Sequence, residues 1–311
     1  MKALLCNLSC LFVGLFITIS AYSQSDYYLK ISQAHGFYYT QEYDKALIVF
    51  EEAFSISAAK ERDLIVAAYA ASRLNKSKKS MDYLKRYFAL KSNVYLDIES
   101  ITSYPAFEQI KSSSDWKKII NKAYASNALI EPSLDNVLRA ELEELFLLDQ
   151  QTRDMSLIDS LIVKHGFPSD PVSAYLKKMN FQDKKNFAKF KELVPVGSIP
   201  GISKVGIKAN MTAWLIIQHS STSIQKDYLE ALKASAEAGE SNWAHVAGTI
   251  DRIMVEVEGV QLYGTQFGID KEGNGFVKPI KNPQNVDERR EKVGLIALEH
   301  DVKRHGIELK D

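Results

Sequence analysis

Cysteine is nearly missing from this 311-residue chain: only Cys6 and Cys10 occur, and nothing beyond them. The rest of the chain therefore has no thiolate nucleophile, no thiolate metal site and no disulfide framework. An excess of one charge is missing too, because Lys+Arg and Asp+Glu both count 39. A polyanion binder draws its affinity from surplus basic side chains, so nucleic acid is not an expected partner. Past the first twenty residues no apolar run is long enough to cross a bilayer, and no membrane span is expected. Motifs for named chemistry are also absent. There is no His-Glu-x-x-His helix, and His300 and His305 stand five apart, off a common helical face. Gly197-Ser198-Ile199-Pro200-Gly201 does not put serine centrally between glycines, and no Gly-Lys-Ser/Thr phosphate loop exists. No metal and no cofactor are expected.

What is present begins with Met1-Lys2, an apolar run from Leu4 to Ile19, and Ala21-Tyr22-Ser23 with small residues where a signal peptidase reads. That three-part pattern is a secretory signal peptide over 1–23, cleaved after Ser23. Export to the periplasm or beyond is expected, with both cysteines lost in the signal. The apolar and charged fractions are ordinary for a globular protein, and the length allows about two domains.

Ala34, Phe37, Tyr43, Ala46, Phe50 and Ala53 recur 34 residues later as Ala68, Ala71, Ser77, Ser80, Leu84 and Tyr87. Small or apolar character is kept at five of the six positions, with Ser77 the departure. Over residues 25–91 the sequence resembles tetratricopeptide repeats, whose helix pairs cross closely at small residues. A variant cap continues to about 125, where Tyr87, Phe88, Phe107 and Trp116 are expected to bury the end of the stack. The resemblance implies either a surface for a protein or peptide partner or a stabilising cap on the C-terminal domain. The Lys76–Lys79 cluster is expected in the turn between helices, in solvent. Domain boundaries are set at 24–126, a linker at 127–133 containing Pro132, and a C-terminal domain over 134–311.

In that domain Leu138, Leu142, Leu145 and Phe146 form a helical stripe, which Asp149 and Arg153 continue on its apolar side. Gln218 and His219 extend the stripe of Trp214 and Ile217 in the same way. Trp243, Val246, Ile250, Ile253, Met254 and Val257 make another stripe; Asp251 flanks it and Arg252 points into solvent. After Gly259 the pattern changes: a strand from Val260 to Phe267, a turn over 270–275, a return strand over 276–280, then a last helix over 286–299. The expected fold class is mainly α, with tetratricopeptide-like repeats and then a helical domain carrying a small β-hairpin.

The ordered set Leu148-Asp149-Gln150-Gln151-Thr152-Arg153, Gly166-Phe167-Pro168, Trp214 with Gln218-His219, Asp251-Arg252, Tyr263-Gly264-Thr265-Gln266 and Asp287-Glu288-Arg289-Arg290 resembles a bacterial family defined only as a domain of unknown function. The resemblance covers about 135–300 and implies no activity. Between Pro168 and Val205 this chain departs from it with a Lys-rich stretch (Lys177, Lys178, Lys184, Lys185, Lys189, Lys191). With Phe181, Phe187 and Phe190 that stretch is read as a charged, solvated helix face, or else as a basic surface for anionic lipid.

Two readings of the polar residues stay open. As a site, His219 with Asp149 or Asp251 would supply acid–base chemistry. Gln150, Arg153, Trp214, Gln218, Arg252, Tyr263 and Gln266 would bind an unknown small molecule. As structure, the same residues form a buried network joining helices and hairpin. The function expected is an exported binding or scaffolding protein of the cell envelope; the alternative is a hydrolase or transferase.

Overall fold

A computed structural model describes residues 25–166, 168–270, 274–307 and 309. The expected signal peptide lies outside the described residues, as do 271–273 of the expected turn and Phe167. The chain is mainly α-helical with a small antiparallel hairpin, as the periodicities indicate.

From the N-terminal side, α1 (25–39), α2 (Tyr43–Ile56), α3 (Glu61–Arg73) and α4 (Ser77–Leu90) succeed one another through short turns. Gln41 and Asn75 take left-handed backbone in two of those turns. Ala46, Leu47, Val49, Phe50 and Ala53 bury one stripe of α2. Ala67, Ala68, Ala70 and Ala71 are all buried on α3. Their small size lets α4 approach closely enough for Ser80 Oγ to donate to the Ala68 carbonyl at 2.9 Å. Next come α5 (Ile98–Thr102), a 3-10 turn at Pro105–Ile110 and α6 (Ser114–Ile130). Tyr87, Phe88, Phe107 and Trp116 are buried, and the Phe107 and Trp116 rings lie 5.4 Å apart. α6 runs on into the stretch expected as a linker, and a 3-10 turn at Glu131–Ser133 accommodates Pro132 at its start.

Six helices build the middle of the chain: α7 (Asn136–Gln151), α8 (Met155–His165), α9 (Asp170–Leu193), α10 (Ile202–Gln218), α11 (Thr222–Glu237) and α12 (Trp243–Glu258). Asp135 and Asp154 cap α7 and α8 by accepting from Leu138 N and Leu157 N at 3.1 and 3.0 Å. Leu142, Leu145, Phe190, Ala209, Ala213, Ile216, Ile217, Tyr228 and Val246 share one core. The Lys-rich stretch is α9. Phe187 and Phe190 turn into the core, whereas Phe181 stays exposed with Lys185 Nζ 4.6 Å above its ring.

The chain closes with β1 (Phe267–Ile269) paired antiparallel to β2 (Gly275–Val277), then α13 (Val286–Lys292) and α14 (Leu298–Asp301). Two expectations are corrected. Gln261 keeps only an isolated bridge and residues 262–266 bend rather than run as a strand, so the first strand starts at Phe267; the last helix is broken at Gly294, whose φ is +75°. Arg290 is fully buried in that break, donating to the Ile296 carbonyl at 2.6 Å and to Asp301.

The chain divides into two compact units. One joins the helices up to Leu90 with Thr102–Ile120 and everything from Phe267 on; the other holds Lys91–Ile101 and Asn121–Gln266. The division differs from the boundary read at 127–133, because the C-terminal segment groups with α1 and α3. Ser32 Oγ accepts from Ala297 N at 2.8 Å, and Arg62 Nη1 donates to the Gly294 carbonyl at 2.6 Å. Phe267, Val277 and Ile280 pack on Val286, Leu298, Val302 and Ile307.

Candidate functional site

The stripe of α7 carries Asp149 into the interior, where it is fully buried. α10 stops at Gln218, so His219 stands at the C-terminal cap of that helix. His219 Nδ1 donates to Asp149 Oδ1 at 2.8 Å, and Gln150 Nε2 donates to Oδ2 at 2.8 Å. Arg153 Nη1 lies 3.3 Å from Oδ1, and Nη2 donates to Asp183 Oδ1 of α9 at 2.8 Å. Burial alone would raise the Asp149 pKa. The bond and charge of His219, then Arg153 and Gln150, outweigh it and hold the carboxyl below its ordinary range.

His219 keeps 20% of its side chain in water. Its Nε2 bonds to none of the described residues and is not enclosed. A buried carboxylate that fixes Nδ1 and leaves Nε2 open is the arrangement an imidazole needs to take or give a proton.

Beside this pair Arg252 Nη1 donates to the Gln218 carbonyl at 2.6 Å. The arginine read as facing solvent thus stays exposed yet reaches back to the end of α10. Desolvation of the guanidinium against the end of α10 and the nearby Arg153 charge both lower its pKa, although the residue as a whole is exposed. Gln218 Oε1 accepts from Thr249 Oγ1 at 3.0 Å, and Trp214 Nε1 donates to the same hydroxyl at 3.1 Å. The Trp214 and His245 rings stack at 4.0 Å. Burial lowers the His245 pKa to about 4, so this ring is neutral.

Asp251, Tyr263 and Gln266 are engaged elsewhere. Asp251 is fully buried and accepts from the backbone N–H of Leu262, Tyr263 and Thr265 at 2.7, 2.9 and 2.9 Å, and from Thr265 Oγ1 at 2.9 Å. These bonds replace the ladder a strand over 260–266 would have needed, which explains the turn there. Gln261 and Gln266 close the same turn, side chain to backbone, at 2.8 and 2.9 Å. Asp149 rather than Asp251 is the carboxylate on His219.

Sequence reasoning missed Asp183, His245 and Thr249. Asp183 had a signal: it shares the helical spacing of Asn186, Phe187 and Phe190, which point inward. No metal was expected, yet Asp149, Asp183 and His219 offer ligand atoms within 4.8 Å of one another. Arg153 already bridges the two carboxylates with its guanidinium, so the arrangement as it stands is an ion-pair network.

A family model matches residues 137–307, more than half of the chain, and it describes a family of unknown function, DUF6624. The chain belongs to DUF6624. No curated protein and no solved structure matches it. The DUF6624 match contains all the residues around His219, and it also spans the hairpin and α13, which belong to the other compact unit.

Proposed function

We propose that this DUF6624 protein is an exported binding protein of the bacterial cell envelope. The site around His219 takes a small polar molecule, and residues 25–91 act as tetratricopeptide-like repeats that dock a protein or peptide. The observation that carries the reading is His219 itself, anchored at Nδ1 by a buried carboxylate and open at Nε2, with Arg153 and Arg252 beside it. A ring nitrogen that meets only water can exchange that water for a ligand atom, which an enclosed one cannot. The repeat reading is supported by the alanine face of α3 against α4 and by the 34-residue period. The same helices hold residues 294–297 of the chain, so they stabilise as well as dock.

The test is thermal shift of the full chain with a metabolite panel, run in parallel on His219→Ala. A compound that raises the wild-type Tm and leaves the variant unmoved is expected. Equal shifts in both proteins, or none in the wild type, would sink the reading.

The open Nε2 also favours a second reading, a hydrolase or transferase in which His219 takes a proton from water or a substrate hydroxyl while Asp149 orients the ring. Turnover of an ester or phosphoester panel that vanishes in His219→Ala supports it. Turnover that persists there, or none in the wild type, removes it.

A further inference from the structure

Away from His219, but in the same compact unit, a half-open cavity of about 280 Å³ is bounded by residues 95–99, the end of α6, the first turns of α7 and Lys208 of α10. Four carboxylates and two cations line it: Asp97, Glu99, Glu131 and Glu143 against Arg139 and Lys208. Arg139, Lys208, Asp97 and Glu143 have only 16%, 21%, 16% and 31% of their side chains exposed. Charges drawn so far out of water are costly unless something of opposite sign meets them. Arg139 is fully met, by Tyr95 Oη at 2.8 Å, Asn136 Oδ1 at 2.9 Å and Glu131, whereas the meetings of Lys208 and Glu143 are incomplete. Lys208 Nζ stands 3.4 Å from Asp97, and Arg139 favours Glu131 at 2.7 Å over Glu143 at 3.7 Å. Burial accordingly pushes the Glu143 carboxyl above its usual range, against Arg139 and Lys208.

The wall is preorganised. Asn127 accepts from Leu96 N at 3.0 Å and donates to its carbonyl at 2.8 Å, and Ile207 N donates to the Tyr95 carbonyl at 3.2 Å. The Ile207–Tyr95 bond arises from the kink in α10 at Gly206, whose φ is +79°. A Cβ at Gly206 would stand 3.0 Å from the Tyr95 ring, so glycine is what lets that ring close the wall. Among the described residues, these carboxylates do not gather as the ligands of one metal ion do. A purely anionic ligand would face four carboxylates, and a purely cationic one would face Arg139 and Lys208. The volume is below that of ordinary drug-sized pockets, which start at about 300 Å³.

We propose that this cavity binds a small zwitterion, a free α-amino acid. Its ammonium lies toward Glu143, its carboxylate toward Lys208, and its side chain along the exposed Tyr124 ring. The site is separate from the His219 site, and residues 95–131 of its lining precede the DUF6624 match.

Isothermal titration calorimetry of the full chain tests it, with the twenty amino acids as probes and 1,3-diaminopropane and succinate as single-sign controls. At least one amino acid should bind about tenfold or more tighter than either control. Glu143→Gln and Lys208→Met should each weaken that binding about tenfold. If circular dichroism shows either variant misfolded, Tyr124→Leu, at an exposed position, takes its place and should change the ranking among amino acids. No binding by any amino acid, a control that binds equally well, or correctly folded variants with wild-type affinity would each overturn the proposal.

Discussion

Among the described residues two aspartate–histidine pairs of nearly the same length stand one in each compact unit. His35 Nε2 meets Asp63 Oδ1 at 2.9 Å, and His219 Nδ1 meets Asp149 Oδ1 at 2.8 Å. What differs is the second ring nitrogen. His35 is 1% exposed, and its Nδ1 is buried without a hydrogen bond among the described residues. His219 keeps its free nitrogen in reach of water. Around Asp63 the partners are all structural: Tyr27 Oη donates at 3.0 Å and Arg62 Nη2 at 3.1 Å, tying α1 to α3. The same contact is a knot where the ring is enclosed and a candidate site where one edge is open. The pair by itself therefore says little; access decides.

The largest expected effect comes from breaking the closed pair. Asp63→Ala strands the buried donors of His35 and Tyr27, and each buried donor left without its acceptor costs about 1–3 kcal/mol. Urea unfolding of the full chain should show that loss. A cost below about 1 kcal/mol would mean the knot carries no more than a surface pair does and would erase the contrast.

Acid sharpens the comparison. Burial lowers the pKa of His35, and it lowers that of His245 to about 4. An unfolded histidine titrates near 6.5. Between those values the unfolded chain binds a proton at His245 that the folded chain refuses. Stability is therefore full above about pH 6.5 and falls as pH drops toward 4, with His245 contributing on the order of 3 kcal/mol. His245→Phe keeps a ring on Trp214 and removes the titration, so its unfolding midpoint should fall less between pH 7 and pH 4. An unchanged slope would assign the acid loss to His35 and the carboxylates instead.

The helical body and the stripe that carries Asp149 inward were legible because side-chain spacing alone encodes them; the end of α10 at His219 was not, since spacing extended that helix through His219. Asp183 was legible in principle, but the lysines around it hid a stripe that Asn186, Phe187 and Phe190 spell out. The function of Asp251 was not legible: its partners are backbone N–H groups of residues 262–265, which leave no trace in side-chain pattern. The grouping of the C-terminal segment with α1 and α3 was hidden for the same reason. Ser32 and Arg62 hold it through the backbone of Ala297 and Gly294, more than two hundred positions away. Alternation also misplaced the first strand, since Asp251 claims the amides a ladder would have used.

At the open pair the expected stability cost is smaller. Asp149→Asn keeps the volume and one acceptor, and Asp183 still neutralises Arg153, so about 1–2 kcal/mol should be lost. The diagnostic is the ring: nitrogen NMR of His219 should show Nδ1 losing its charged acceptor while the fold is retained. Arg252→Gln should have the smallest effect, within about 0.5 kcal/mol, because the side chain is exposed and water can replace it at the Gln218 carbonyl. If Arg252 serves the site, ligand affinity changes while the melting temperature does not. Were both to fall together, by as much as at Asp63, the site at His219 would be a second knot, and the distinction drawn from its open nitrogen would fail.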